Sequence, residues 1–185
     1  MTTPHRVSPR SQARWDAAAD EHEVALAAYL QSASALPQAS WTRPWGEGKW
    51  TPAQVTEHVT RAYEALLDEL REGRPMREKL AGWRKKMVRI VILPHILFHR
   101  TIPLRVPSPR EMRPGEPRAG RDGALQALRE LGECFTAELA AAREQGCDGL
   151  THPYFGKLEP IKVLRFVAIH LEHHRRQIER AGDRG

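Results

Sequence analysis

The sequence is poor in cysteine, in aromatic residues and in long apolar runs, and each shortage removes a class of protein. Cys134 and Cys147 are the two cysteines among 185 residues, and no CxxC pair exists. That spacing excludes a zinc ribbon and a dithiol redox motif. Two lone cysteines fit a reducing cytosol. The longest apolar run, "MVRIVILPHILF" (87–98), is interrupted by Arg89, Pro94 and His95. Spanning a bilayer takes about 20 mostly apolar residues, so this run is too short. The first residues, "MTTPHRVSPRSQ", lack the apolar core of a signal peptide. Period-two alternation is absent, so no strand is expected. The expectation is a soluble cytoplasmic protein of one domain, with residues 1–10 as a flexible N-terminus and 11–182 as the folded unit.

What is present is helical periodicity. Trp15, Ala19, His22, Leu26, Tyr29 and Ala33 recur at steps of three and four, which predicts a helix over 11–34. Residues 35–50 hold two prolines and two glycines and read as a loop, with Trp41, Trp45 and Trp50 packing it onto the helices. Thr51, Pro52 and Gln54 then spell a capping box with proline at the first helical position. Val55, Val59, Ala62, Leu66 and Leu70 form the stripe of this second helix, and Gly73 and Pro75 end it. A third helical piece, kinked or broken at Pro94, is expected within 76–100, and residues 101–118, with five prolines, are expected to be irregular. Helix returns over 122–145, with Leu125, Leu128, Gly132, Phe135 and Leu139 on one face. After a loop at 146–158, a last helix runs from near Pro160 to about Ala181. The fold class is all-α: a four-helix bundle with a long, partly helical, Pro-rich crossover between the second and third bundle helices.

The chemistry concentrates in histidine. At about 100° per residue, His174 lies about 60° and His170 about 100° from Leu171, the centre of the last helix's apolar face. His173 lies about 160° away, with the solvent-facing residues. On the second helix, His58 stands about 100° from Val59, also at a core edge. If the two helices are neighbours, three imidazoles converge in one groove, as bundle metal sites do. Neutral imidazoles suit divalent ions, and three protein ligands leave a coordination position open. The bare HxxxH lacks the glutamate of HExxH, so spacing alone leaves ordinary core-edge histidines as the alternative.

Two longer stretches add to this: "KWTPAQVTEHVTRAYEALL" (49–67) and "THPYFGKLEPIKVLRFVAIHLEHHRRQI" (151–178). Together they resemble the DinB-like superfamily, also called the YfiT-like metal-dependent hydrolases. The first is similar to that family's tryptophan, helix start and first ligand histidine. The second is similar to its HP-x-FG-x-L loop and following HxxxH helix with a nearby glutamine. The resemblance implies up-down-down-up topology and a divalent ion, zinc or nickel, held by His58, His170 and His174. It also implies frequent homodimers, and relatives that are thiol-dependent transferases or isomerases. Residues 76–120 depart from any clear match, which leaves substrate class open.

Other candidates carry alternatives. Gln177 is either a hydrogen-bond partner of a ligand imidazole or substrate, or a surface amide. Glu138 either orients a ligand or lies on an exposed face edge. His22 is either a buried, hydrogen-bonded histidine or a pocket residue. His152 is expected to pack its loop onto the bundle. His95 and His99 share an i, i+4 spacing but have no partner that would make a second metal site. The stretch 83–100 reads as a bundle wall with solvated lysines rather than as a membrane-surface helix. No helix-turn-helix signature points to nucleic acid.

The leading expectation is a metal-dependent enzyme, a thiol transferase or hydrolase, whose ion activates a thiol or water. Its partner would be a small-molecule substrate, a low-molecular-weight thiol among the candidates. No general base is assigned, because Glu57 and Glu172 point away from the histidine side. The alternative is a non-catalytic metal-stabilised bundle or interaction module.

Overall fold

The structure, a computed structural model, describes residues 8–102, 112–115 and 120–182. Four long helices make the bundle: α1 (Pro9–Ser34), α3 (Pro52–Glu72), α6 (Arg121–Glu144) and α7 (Pro160–Gly182). A short turn of helix, α2 (Gln38–Trp41), interrupts the first loop, where Trp41 is buried. Ser8 caps α1, its Oγ accepting Ser11 N–H at 3.2 Å. Helix therefore begins ahead of the expected boundary at 11, while residues 1–7 of the expected flexible N-terminus lie outside the described residues.

Specific contacts fix the helix directions. Ser32 near the end of α1 donates to Glu179 near the end of α7, so these two run parallel. Arg143 at the end of α6 reaches Gln12 at the start of α1, so those two are antiparallel. Tyr29 of α1 bonds Thr56 early in α3, whereas His22 bonds Tyr63 later in α3, again antiparallel. Arg71, ending α3, holds Glu138 late in α6, so α3 and α6 are parallel. The order is up-down-down-up. Parallel α3 and α6 require the long return made by residues 73–120.

The capping box forms as the sequence predicts: Thr51 Oγ1 accepts from Gln54 N–H at 3.1 Å, and Gln54 Oε1 accepts from Thr51 N–H at 3.0 Å. Gly73 ends α3 at φ 63°, a left-handed conformation suited to glycine. The buried face of α3 is wider than its five-residue stripe, since Tyr63 and Leu67 are also buried. It meets α6 and α7 along its length and α1 through the His22–Tyr63 and Tyr29–Thr56 hydrogen bonds.

The excursion is a continuous helical rod: α4 (Gly82–Met87), a π-helical turn (Val88–Ile92) and α5 (Leu93–His99). Pro94 does not break it. A proline has no N–H for the i−4 carbonyl and crowds it, and a π turn immediately upstream is a recognised way to relieve that conflict. Most of the expected irregular stretch 101–118 lies outside the described residues. The loop 146–158 contains what periodicity missed, an antiparallel hairpin of β1 (Leu150–His152) and β2 (Gly156–Leu158). Strands of three residues are too short to show alternation. The Glu69 carboxylate ties the hairpin to α3 by accepting from Thr151 N–H at 2.9 Å and its hydroxyl at 2.8 Å.

Candidate metal centre

His58 comes from α3 and His170 and His174 from α7, one turn apart. The three rings meet. His170 Nε2 lies 3.3 Å from His58 Nε2 and 3.0 Å from His174 Nε2. One ligand nitrogen from each falls within 4.8 Å of the others. Zinc–imidazole bonds of about 2.0–2.1 Å separate neighbouring nitrogens by about 3.0 Å at right angles and about 3.4 Å in a tetrahedron. The two short distances fall in that interval.

The ring orientations are held from outside. His58 Nδ1–H donates to the Met112 carbonyl at 2.8 Å. His174 Nδ1–H donates to Gln177 Oε1 at 3.0 Å. Each bond leaves its Nε2 lone pair facing the cluster, the arrangement that outer partners impose on ligating histidines. A single proton on His170 Nε2 satisfies one of its two neighbours and leaves the other lone pair facing it. A divalent cation satisfies all three. Burial, above all, lowers the pKa of each ring, against the Met112 carbonyl for His58 and Gln177 for His174, and a proton on any one ring would be further opposed by one on its histidine neighbours. The rings are thereby held neutral, which is the metal-binding form.

The cluster lies in the wall of a cavity of about 880 Å³. Trp50 packs against His58, with ring centroids 5.2 Å apart. Phe166 stacks on His170 from the other side, at 6.2 Å. The hairpin adds His152, stacked on Phe155 at 4.5 Å, whose Nδ1 accepts the N–H groups of Tyr154 and Phe155. Burial lowers its pKa to about 3, so it is a neutral ring with its proton on Nε2.

The remaining candidates sort themselves by contact. Gln177 joins the cluster, bridging His174 to His173 by donating its amide N–H to His173 Nε2 at 3.0 Å. His173 was placed with solvent by the helical wheel, yet it lines the cavity and is half-buried. The wheel measures angle from the core centre and does not register a cleft opening on one flank. Glu138 does not reach the site. It is held by Arg71 at 2.6 Å and accepts from Cys134 at 3.1 Å, on the far pairing of α3 with α6. His22 is the buried, hydrogen-bonded residue of its two readings: Nδ1–H donates to Thr136 Oγ1 at 3.1 Å and Tyr63 O–H donates to Nε2 at 2.6 Å. Burial lowers its pKa to about 4. The Met112 carbonyl was invisible in the sequence because it is a backbone group brought in from the crossover. His95 and His99 sit 4.3 Å apart on α5 without a third ligand among the described residues.

A solved structure, YfiT from Bacillus subtilis, is similar across all of this chain and 93% of its own length, at 18% identity and a TM-score of 0.56. It is described as a probable metal-dependent hydrolase with an unusual four-helix bundle topology. No curated protein matches the sequence. The model of the DinB superfamily matches residues 21–178, a span that contains α3, most of α7 and all three converging histidines. The chain therefore belongs to the DinB superfamily.

Proposed function

We propose that this protein is a metal-dependent enzyme whose divalent cation, held by His58, His170 and His174, activates water or a thiol against an electrophile bound in the adjoining cavity. The observation that carries this reading is the meeting of three neutral imidazoles, His58 and His174 buried and His170 half-buried, at the wall of an 880 Å³ cavity. A structural metal site closes its fourth position with protein, whereas this cluster faces space. When bound, a divalent ion polarises a substrate oxygen and lowers the pKa of water or a thiol toward neutrality.

The chain's own residues shape what enters. Apolar side chains such as Leu66, Ile92 and Phe166 line much of the cavity, beside the basic residues Lys49, Arg100, Arg176 and Arg180. No Asp or Glu is among the described lining residues. That balance favours a substrate or thiol carrying negative charge. Gln177 fixes the tilt of His174, and His152 offers a fixed N–H donor at the wall. The resemblance of the fold to YfiT supports hydrolysis as the first reaction to assay.

Elemental analysis of purified protein beside His174→Ala tests the proposal. About one equivalent of zinc or nickel is expected in the wild type and a small fraction of that in the variant. Equal metal in both would sink the ligand set. Metal without turnover, in ester-hydrolysis assays and in assays pairing low-molecular-weight thiols with electrophiles, would favour the non-catalytic bundle instead.

A further inference from the structure

The excursion between α3 and α6 forms the wall with solvated basic residues that its sequence suggests, and it carries an apolar surface besides. Trp83, Met87, Ile90, Val91 and Phe98 are its outward apolar residues, with Trp83 at 68% and Phe98 at 82% exposure. Their spacing follows helical repeats of three, four and seven, so they share one face of the rod. The opposite face carries Leu93 and Ile96, both buried, with Val88 and Ile92 beside them at the cavity. Except for Val24, every large apolar side chain strongly exposed among the described residues lies in this one element.

Charge is concentrated in the same place. Residues 76–100 hold seven Lys and Arg against Glu78 alone, a net +6 equal to that of the whole chain. The remaining residues therefore sum to zero. Arg84 and Lys86 are exposed among the apolar positions, while Arg89 reaches back to the Phe155 carbonyl of the hairpin.

We propose that this rod is a docking surface for an anionic lipid bilayer, with Trp83 and Phe98 inserted at the headgroup–acyl boundary. A rod with large apolar side chains on one face and basic residues beside them has the composition of helices that lie in a membrane interface. Basic residues at such a surface are drawn by acidic headgroups. A second copy of the chain is a poor occupant, because pairing the face with itself opposes two charges of +6. Nucleic acid is a poor occupant as well, because it offers nothing to bury Trp83, Ile90 and Phe98. No helix among the described residues is long and apolar enough to cross a membrane, so the association is peripheral. The rod also walls the cavity through Val88, Ile92 and Ile96, which places the cavity beside the bilayer. Docking does not require the metal, so its failure and the failure of the proposed chemistry are separately visible.

Vesicle flotation with the full chain tests this, using phosphatidylcholine alone and phosphatidylcholine mixed with phosphatidylglycerol. Binding to the anionic vesicles alone is expected, weakening as salt is raised. The Trp83→Ser/Phe98→Ser and Arg84→Glu/Lys86→Glu variants should each bind about tenfold or more weakly, with unchanged circular dichroism and metal content. Should a double variant misfold, the conservative Trp83→Phe keeps a readout. The wild type's fluorescence should shift to the blue on anionic vesicles, and the variant's shift should be smaller. Absence of vesicle binding, equal binding to neutral vesicles, or wild-type binding by both folded double variants would overturn the proposal. So would a dimer in sedimentation that Trp83→Ser/Phe98→Ser dissociates, or duplex DNA displacing the vesicles.

Discussion

At the residue scale, the cluster depends on neutral rings pointing the right way, and Gln177 is the side chain that aims His174. Gln177→Leu removes the acceptor at 3.0 Å while keeping bulk. Loss of such an outer partner costs about 10–100-fold in metal affinity. A competition titration with a chelating dye should show that drop with the helical circular dichroism unchanged. His22 makes a separate prediction. Its ring is neutral when folded, with a pKa of about 4, against 6.5 when unfolded. Below pH 6.5 the unfolded chain takes up the proton first, so stability is present above that pH and is lost as pH falls toward 4. The loss is at most about 3 kcal/mol. Urea unfolding of metal-free protein at pH 7 and pH 5 should show it, and His22→Gln should flatten the slope. These residues also show what a sequence discloses. His58, His170 and His174 were legible because helical geometry alone puts each at a core edge. His173 and Glu138 were not. One depends on where a cleft opens, the other on Arg71 arriving from a helix 67 positions away in sequence.

At the element scale, signals written in consecutive residues were legible. The Thr51–Pro52–Gln54 cap, the glycine ending α3 and the four apolar stripes all act over one or two turns. Thr51→Ala should cost about 1 kcal/mol in a denaturant titration, because the Gln54 N–H loses its hydroxyl acceptor. The hairpin and the π turn were not legible. The first is too brief for period, and the second records a conflict between Pro94 and the turn before it. The hairpin rests on Gly149, whose φ is 139° and where an added Cβ would lie 2.0 Å from the Leu158 carbonyl oxygen. Gly149→Ala should therefore open the strand pair. Amide exchange at Leu150 and Leu158, the neighbouring pair in the register, should speed up while α1 and α6 stay protected, because the hairpin is attached to the bundle through Glu69 rather than through those helices.

At the scale of the whole molecule, the helices pack most extensively as two pairs, α1 with α7 and α3 with α6. The candidate ligands come from one helix of each pair. His58 sits on α3 and His170 with His174 on α7, so an ion shared by them would bridge the two pairs across their lesser contact. Metal binding is then folding free energy as well as chemistry. Ligand at a hundred times its dissociation constant stabilises by about 2.7 kcal/mol, so stripping the metal should lower the melting temperature by several degrees. Amides flanking His58 on α3 and His170 on α7 should exchange faster before those at the α1–α6 contact do. His174→Ala should melt at the same temperature with and without chelator. Acid should reproduce the effect of the chelator, because protonation removes the Nε2 lone pairs. It should do so below the ordinary histidine range, since burial and mutual repulsion hold all three pKa values down. A melting temperature indifferent to chelator in the metal-loaded wild type would mean that the three rings do not hold the two helix pairs together.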